Sequence, residues 1–166
     1  SGIVQLLKSP EHYLQYKTGS VEPTPAMEFG SAFHSFILEP EAFSKGYVLA
    51  PKFDRRTKEG KETAAKWDVE NAGKTPLTAE QMDTLAAMRV SVFNHAGAAR
   101  MLEDGEAETS LFWTDDDTGL PCRIRPDWMC EYGMADLKSC CGASKDSFSK
   151  AIANLGYDVQ AAFYTD

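Results

Sequence analysis

The chain has 166 residues, 43% of them hydrophobic, and a formal net charge of −8. That length and composition fit one domain with a real apolar core, while the charge works against indiscriminate attraction to nucleic acid. No apolar run approaches the ~18–20 residues of a membrane span, and the opening Ser1-Gly-Ile-Val has no basic start followed by an apolar stretch, so neither a membrane anchor nor a signal peptide is expected.

Ser9-Pro10-Glu11 supplies an N-cap and a proline at the first helical position, so a short helix opens there towards Tyr16. A Gly/Pro/Thr connection over 17–24 follows. Thr24-Pro25 opens a second helix with Phe29, Ala32, Phe33, Phe36 and Ile37 at core spacing, and Pro40 stops it near Leu38-Glu39. Gly46-Tyr-Val-Leu-Ala50 reads as a short strand, and a basic stretch then leads into a helix reaching Ala72. Thr78-Ala-Glu-Gln81 is a capping box for a long helix through Asn94, with Met82, Leu85, Ala86, Val92 and Phe93 as its inner side. Segments 106–114 and 120–130 alternate around the Asp/Gly-rich turn Asp115-Asp-Asp-Thr-Gly119, and a strand over 133–138 follows. Phe148, Ala151, Ile152 and Leu155 mark an amphipathic helix closed by Gly156, and a last helical segment runs from Asp158 to Tyr164.

The order is helices, three strands, then helices, which is a mixed α/β class. A three-stranded sheet with a bare edge is a liability. The expectation is therefore a single domain over 1–166, excised from a longer protein that continues with at least one more strand; the missing initiator Met points the same way. The four cysteines show neither a C-x-x-C pair nor zinc spacing. Cys122 and Cys130 fall on an apolar strand face as small hydrophobes, which points to a reducing, cytoplasmic setting.

The chemistry gathers in two of the strands. In Cys122-Arg-Ile-Arg-Pro-Asp127-Trp-Met-Cys130, period-two alternation puts Cys122, Ile124 and Trp128 on one face and Arg123, Arg125 and Asp127 on the other. In Gly133-Met-Ala-Asp-Leu-Lys138, Asp136 and Lys138 share a face opposite Leu137. A turn at Glu131-Tyr132-Gly133 brings these strands together antiparallel, so two carboxylates and an ammonium converge at their ends. Hard divalent cations such as Mg²⁺ take oxygen ligands, and a nearby lysine can hold or deprotonate an attacking water, which is the set of parts phosphodiester cleavage needs. The tripeptide is weak by itself: Glu59-Gly60-Lys61 has the same form in a polar stretch without a strand pattern. On the second helix, Gly30 and His34 lie four apart on one side, the glycine open to close backbone approach and the imidazole either a metal ligand or a buried histidine bound to a carbonyl. The stretch Lys52, Arg55, Arg56, Lys58 and Lys61 is either a phosphate grip or a solvated loop.

Gly30-Ser-Ala-Phe-His34, Asp127, Asp136-Leu137-Lys138 and Gln160-Ala-Ala-Phe-Tyr164 occur in that order. The pattern resembles the PD-(D/E)xK nuclease superfamily in its RecB-like branch. Leu6-Leu-Lys-Ser-Pro10 with Tyr13, Phe36-Ile-Leu-Glu-Pro40, Asp54-Arg-Arg-Thr-Lys-Glu-Gly-Lys61, and Ser110-Leu-Phe-Trp113 with Thr118-Gly119 are similar to the phage and prophage exodeoxyribonuclease VIII (RecE-like) nuclease domain. The resemblance implies a restriction-endonuclease-like core, a central mostly antiparallel or mixed sheet flanked by helices. It implies His34, Asp127, Asp136 and the Leu137 carbonyl as ligands of Mg²⁺, with Mn²⁺ able to substitute, and Lys138 as the residue that orients and activates water. Gln160 and Tyr164 would touch the DNA backbone, with the basic stretch leaning to DNA contact as well. Glu108 is a weaker candidate for a second-metal or outer acid, its ordinary reading being a glutamate on an exposed strand face. The implied activity is 5′ to 3′ digestion of linear double-stranded DNA to mononucleotides, leaving a 3′ overhang for a single-strand annealing recombination protein. A homo-oligomeric ring and a bacterial or phage-encoded cytoplasmic protein are also implied. Within the superfamily, a Cas4-like exonuclease would need four cluster-binding cysteines, which these spacings do not match. A site-specific endonuclease and a non-catalytic DNA-binding or assembly module are the remaining alternatives.

Overall fold

The computed structural model describes residues 2–20 and 22–165. In chain order the elements are α1 (Gly2–Lys8), α2 (Pro10–Thr18), α3 (Pro25–Leu38), α4 (Pro40–Gly46), β1 (Tyr47–Leu49), α5 (Lys58–Glu70), β2 (Thr75–Leu77) and α6 (Ala79–Asn94). There follow α7 (Ala96–Met101), β3 (Gly105–Ala107), β4 (Leu111–Thr114), β5 (Pro121–Ile124), β6 (Trp128–Cys130), β7 (Gly133–Ala135), α8 (Lys145–Leu155) and α9 (Tyr157–Thr165). They divide between two units, one of Pro25–Thr109 with Asp127–Leu137 and one of Ser1–Thr24, Ser110–Pro126 and Lys138–Asp166. The class is mixed α/β, as expected, but among the described residues the strands form three small sheets, β1–β2, β3–β6–β7 and β4–β5.

In the first of these units the core grows from α3. Its stripe buries Ala32, Phe33, Ile37 and Leu38, which cluster with Leu77 of β2 and Leu85 of α6. Pro40 ends α3 by opening α4; the Phe36 and Phe43 rings meet edge-on at 4.8 Å between centroids, and Phe43 stacks on Tyr47 at 4.9 Å. β1 and β2 pair in parallel, Val48 opposite Pro76, with α5 as the crossover between them. Thr78 and Gln81 make both bonds of the expected capping box on α6. Arg89 donates Nη1–H to the Phe36 carbonyl at 3.0 Å, satisfying an acceptor near the end of α3, and its guanidinium lies over the Phe36 and Phe93 rings. Ala86 and Phe93, expected on the inner side of α6, are exposed instead. The helix is longer than the core it covers, and the Phe93 ring lies against the Arg89 guanidinium.

In the other unit, α1 and α2 form a helical pair joined at Ser9, whose Oγ caps α2 by accepting the His12 N–H. β4 and β5 make the expected hairpin, with Phe112 opposite Arg123 and Trp113 opposite Cys122. Ile124 is buried and Cys122 half-buried while Arg123 and Arg125 are exposed, so the period-two reading holds through β5. The turn is tied by Asp115, whose carboxylate accepts the Thr118 N–H and hydroxyl, with Gly119 at φ 67. Trp113 packs on Phe163 of α9, and Gly156 ends α8 in the left-handed conformation. The expected continuous strands 106–114 and 120–130 are each broken. The first yields at Glu108, which adopts φ 55, and the second at Pro126, which has no N–H to donate to a ladder.

Two measurements check this account. Leu85→Ala, emptying a fully buried position, should cost about 2–5 kcal/mol in urea unfolding followed by helical circular dichroism. The Asp115 carboxyl is held below its ordinary value by the Thr118 hydroxyl and N–H, so the carboxylate's tie stabilises the turn above that ordinary value and is lost as pH falls through the lowered one. The Thr118 amide resonance should titrate there, below pH 3.8, and should stop doing so in Asp115→Asn.

Candidate metal centre

The interruption of the long strands is what builds the site. β3 pairs antiparallel with β6 through Gly105↔Cys130, Glu106↔Met129 and Ala107↔Trp128. One step further, the Glu108 N–H donates to the Asp127 carbonyl at 3.0 Å. Glu108 makes that bond in the left-handed region, a conformation that costs a residue with a Cβ about 1–2 kcal/mol. The twist takes its side chain out of the alternation that would have left it on an outer face.

Asp127 stands between buried Pro126 and Trp128, just before β6. On the other side of β6, β7 pairs by Cys130↔Gly133, Met129↔Met134 and Trp128↔Ala135. Continued, that register would set Asp136 across from Asp127, but the ladder ends at Ala135. The Leu137 N–H instead donates to Asp127 Oδ2 at 2.6 Å, a short bond of the charge-assisted kind. His34 comes from α3, directly after buried Phe33, whose ring meets the imidazole edge-on at 6.3 Å. Its Nδ1 lies 3.5 Å from Asp127 Oδ2.

His34, Glu108 and Asp127, all half-buried, each offer one ligand atom, and the three atoms lie within 4.8 Å of one another. Ligands about 2.1 Å from an ion stand roughly 3.0 Å apart when adjacent in an octahedron and 4.2 Å when opposite. The donors therefore fit a single divalent ion with little movement. Two carboxylate oxygens suit Mg²⁺ or Mn²⁺, and the imidazole is a better ligand for Mn²⁺ than for Mg²⁺.

The other expected site residues are not members of this three-residue group. Asp136 is exposed at the end of β7 and is not part of this group. Lys138 follows Leu137 in the chain but belongs to the other unit, where its Nζ lies 5.3 Å over the Tyr157 ring. Gln160 and Tyr164 are half-buried on α9, and the Tyr164 hydroxyl donates to the Arg125 carbonyl at 3.2 Å. In the basic stretch, Lys52 pairs with Glu80, Arg55 with Asp68, Arg56 with Asp54 and Lys58 with Glu62 at 3.0–3.9 Å. The Asp54 carboxyl is held below its ordinary value by the Arg56 side chain and N–H. Sequence reasoning ranked Glu108 below Asp136 because no signal marks a glutamate for a left-handed position, where Gly or Asn is the usual sign. Tyr157 carried no signal at all.

The chain thus combines small parallel and antiparallel sheets with a histidine–carboxylate group at a strand end, and Asp136-Leu137-Lys138 follows in sequence. The model of the family described as a PDDEXK-like domain of unknown function (DUF3799) matches residues 1–166, and the chain belongs to that family. No curated protein matches it closely enough to count as a relative.

Calorimetric titration with Mn²⁺ checks the centre. Binding is expected to weaken at least about tenfold in Asp127→Asn and in Glu108→Gln, and unchanged affinity in Glu108→Gln would take Glu108 out of the site. Glu108→Gly should be more stable than Glu108→Ala by about 1 kcal/mol in denaturant unfolding, because glycine accepts this φ without strain.

Proposed function

We propose that this chain is a divalent-metal-dependent deoxyribonuclease, and that it digests linear double-stranded DNA from its ends. The observation that carries the reading is the meeting of His34 of α3 with Glu108 and Asp127, which flank β3 and β6, beside the strand that leads into Asp136-Leu137. Membership of a PDDEXK-like family supports a nuclease over other uses of such a group.

In this reading His34, Glu108 and Asp127 hold the ion, with Asp136 and the Leu137 carbonyl as further oxygens. A bound Mg²⁺ or Mn²⁺ would polarise the scissile phosphate and make a coordinated water acidic. The chain's own contributions are distinct. The Leu137 N–H keeps the Asp127 carboxylate in one orientation, so that a ligand atom is in place before DNA arrives. Lys138 supplies an ammonium that orients the attacking water and offsets charge developing on the phosphate. Gln160 and Tyr164, four apart on α9, are assigned to the DNA backbone, with Lys61 and the paired cations at 52–58 as an outer electrostatic contribution. The direction of digestion, 5′ to 3′ with a 3′ overhang passed to a single-strand annealing protein, and a ring of several copies around the duplex, are part of the same proposal and rest on the motif resemblance.

The test is nucleotide release from linear duplex DNA with Mg²⁺ or Mn²⁺. Lys138→Ala should lower the rate about 10²–10³-fold while DNA binding stays within a few-fold. Equal release by both proteins would remove Lys138 from the reaction. Covalently closed duplex should survive, and its cleavage at a comparable rate would make the enzyme an endonuclease.

A further inference from the structure

We infer that Tyr157 positions the Lys138 ammonium for the reaction, an inference that rests on the reading of Lys138 as the catalytic amine. Both residues belong to the same unit, and Lys138 Nζ lies 5.3 Å from the Tyr157 ring centroid, inside the ~6 Å range over which an aromatic face attracts a cation. Both are half-buried, so the attraction is less screened than on an open surface.

The ring is a fixed platform because its backbone has little choice. Tyr157 opens α9 immediately after Gly156, which closes α8 with φ 66 and returns its N–H to the Ile152 carbonyl. A Cβ on Gly156 would come within 2.7 Å of Val4 Cγ2, so the left-handed turn is closely packed as well as conformationally reserved for glycine. Phe148 of α8 supports the tyrosine from the side, ring centroids 6.5 Å apart.

Lysine carries a long, flexible stem, and a catalytic ammonium is effective only if that freedom is already removed. A π face beneath the ammonium favours positions of the stem that keep the charge over the ring, which narrows that freedom. The hydroxyl of Tyr157 plays no part in this, which makes phenylalanine the conservative replacement.

Ring-current shifts read the contact without any metal or substrate. In protein whose lysines carry ¹³C-methyl groups, Lys138→Arg assigns the Lys138 signal. That signal should lie upfield of exposed lysines in the wild-type chain and in Tyr157→Phe, and should return to their position in Tyr157→Leu. In nucleotide release, Tyr157→Leu should lose about three- to thirtyfold in kcat with KM for DNA unchanged, and Tyr157→Phe should restore it. An unshifted Lys138 signal in the wild-type chain overturns the inference whether or not the variants fold, and does so even if Lys138→Ala abolishes release. A shifted signal with undiminished release by Lys138→Ala overturns the catalytic role of Lys138, and the positioning role of Tyr157 with it.

Discussion

The bond from the Leu137 amide to the Asp127 carboxylate is made where the β3–β6–β7 ladder stops, and it shows how this site obtains its geometry. Leu137 also places its side chain against the core cluster built on α3, β2 and α6. One residue therefore serves the apolar interior with its side chain and the polar site with its N–H. The same arrangement recurs at each member of the candidate centre. His34 follows Phe33, Glu108 follows Ala107 and Asp127 precedes Trp128, and all three of those neighbours are in or against the core. Side chains adjacent in a strand, or one step round a helix, point in different directions. Burying one neighbour fixes where the next must go, so the donor atoms inherit the precision of a packed interior.

Charge explains why such a group is kept at all. Two half-buried carboxylates near each other are mutually repulsive, and the Leu137 N–H and the nearby imidazole are among the groups that face them. A divalent cation removes the repulsion outright. The same bookkeeping bears on DNA. A chain of net charge −8 has few cations to spare, and those of the 52–58 stretch are paired with carboxylates. Such exposed pairs contribute only about 0–1 kcal/mol each, so a phosphate exchanges with a carboxylate at little cost.

How much of this was legible in the sequence follows from how local each signal is. Ser9, Thr78 with Gln81, and Gly156 act within one helical turn, and the helices begin or end where those residues say. The α3 stripe is equally local and identified the core correctly. Strand interruptions were not legible to the same degree. Alternation in composition runs on through 106–114, but a backbone reversal at one glutamate leaves no mark in composition. Pro126 did leave a mark, since a residue without an N–H cannot continue a ladder. β2 was hidden for a related reason: three residues including Pro76 carry no strand pattern, and the partner that makes them a strand lies on the far side of α5. Asp136 was expected within a strand running to 138, whereas the pairing of β7 ends at Ala135.

Those non-local terms also give the centre its thermodynamic character. His34 and Asp127 are 93 positions apart in sequence, with Glu108 between them, so the unfolded chain presents no comparable set of donors. An ion that binds the folded form alone stabilises it by RT ln(1 + [L]/Kd), about 2.7 kcal/mol at a hundredfold excess over Kd. That exceeds the ~1–2 kcal/mol estimated for the left-handed glutamate. An ion bound there would thus offset the strain at Glu108. A residue that relaxed into the strand would restore the alternation of β3, and in doing so would carry the carboxylate away from His34 and Asp127.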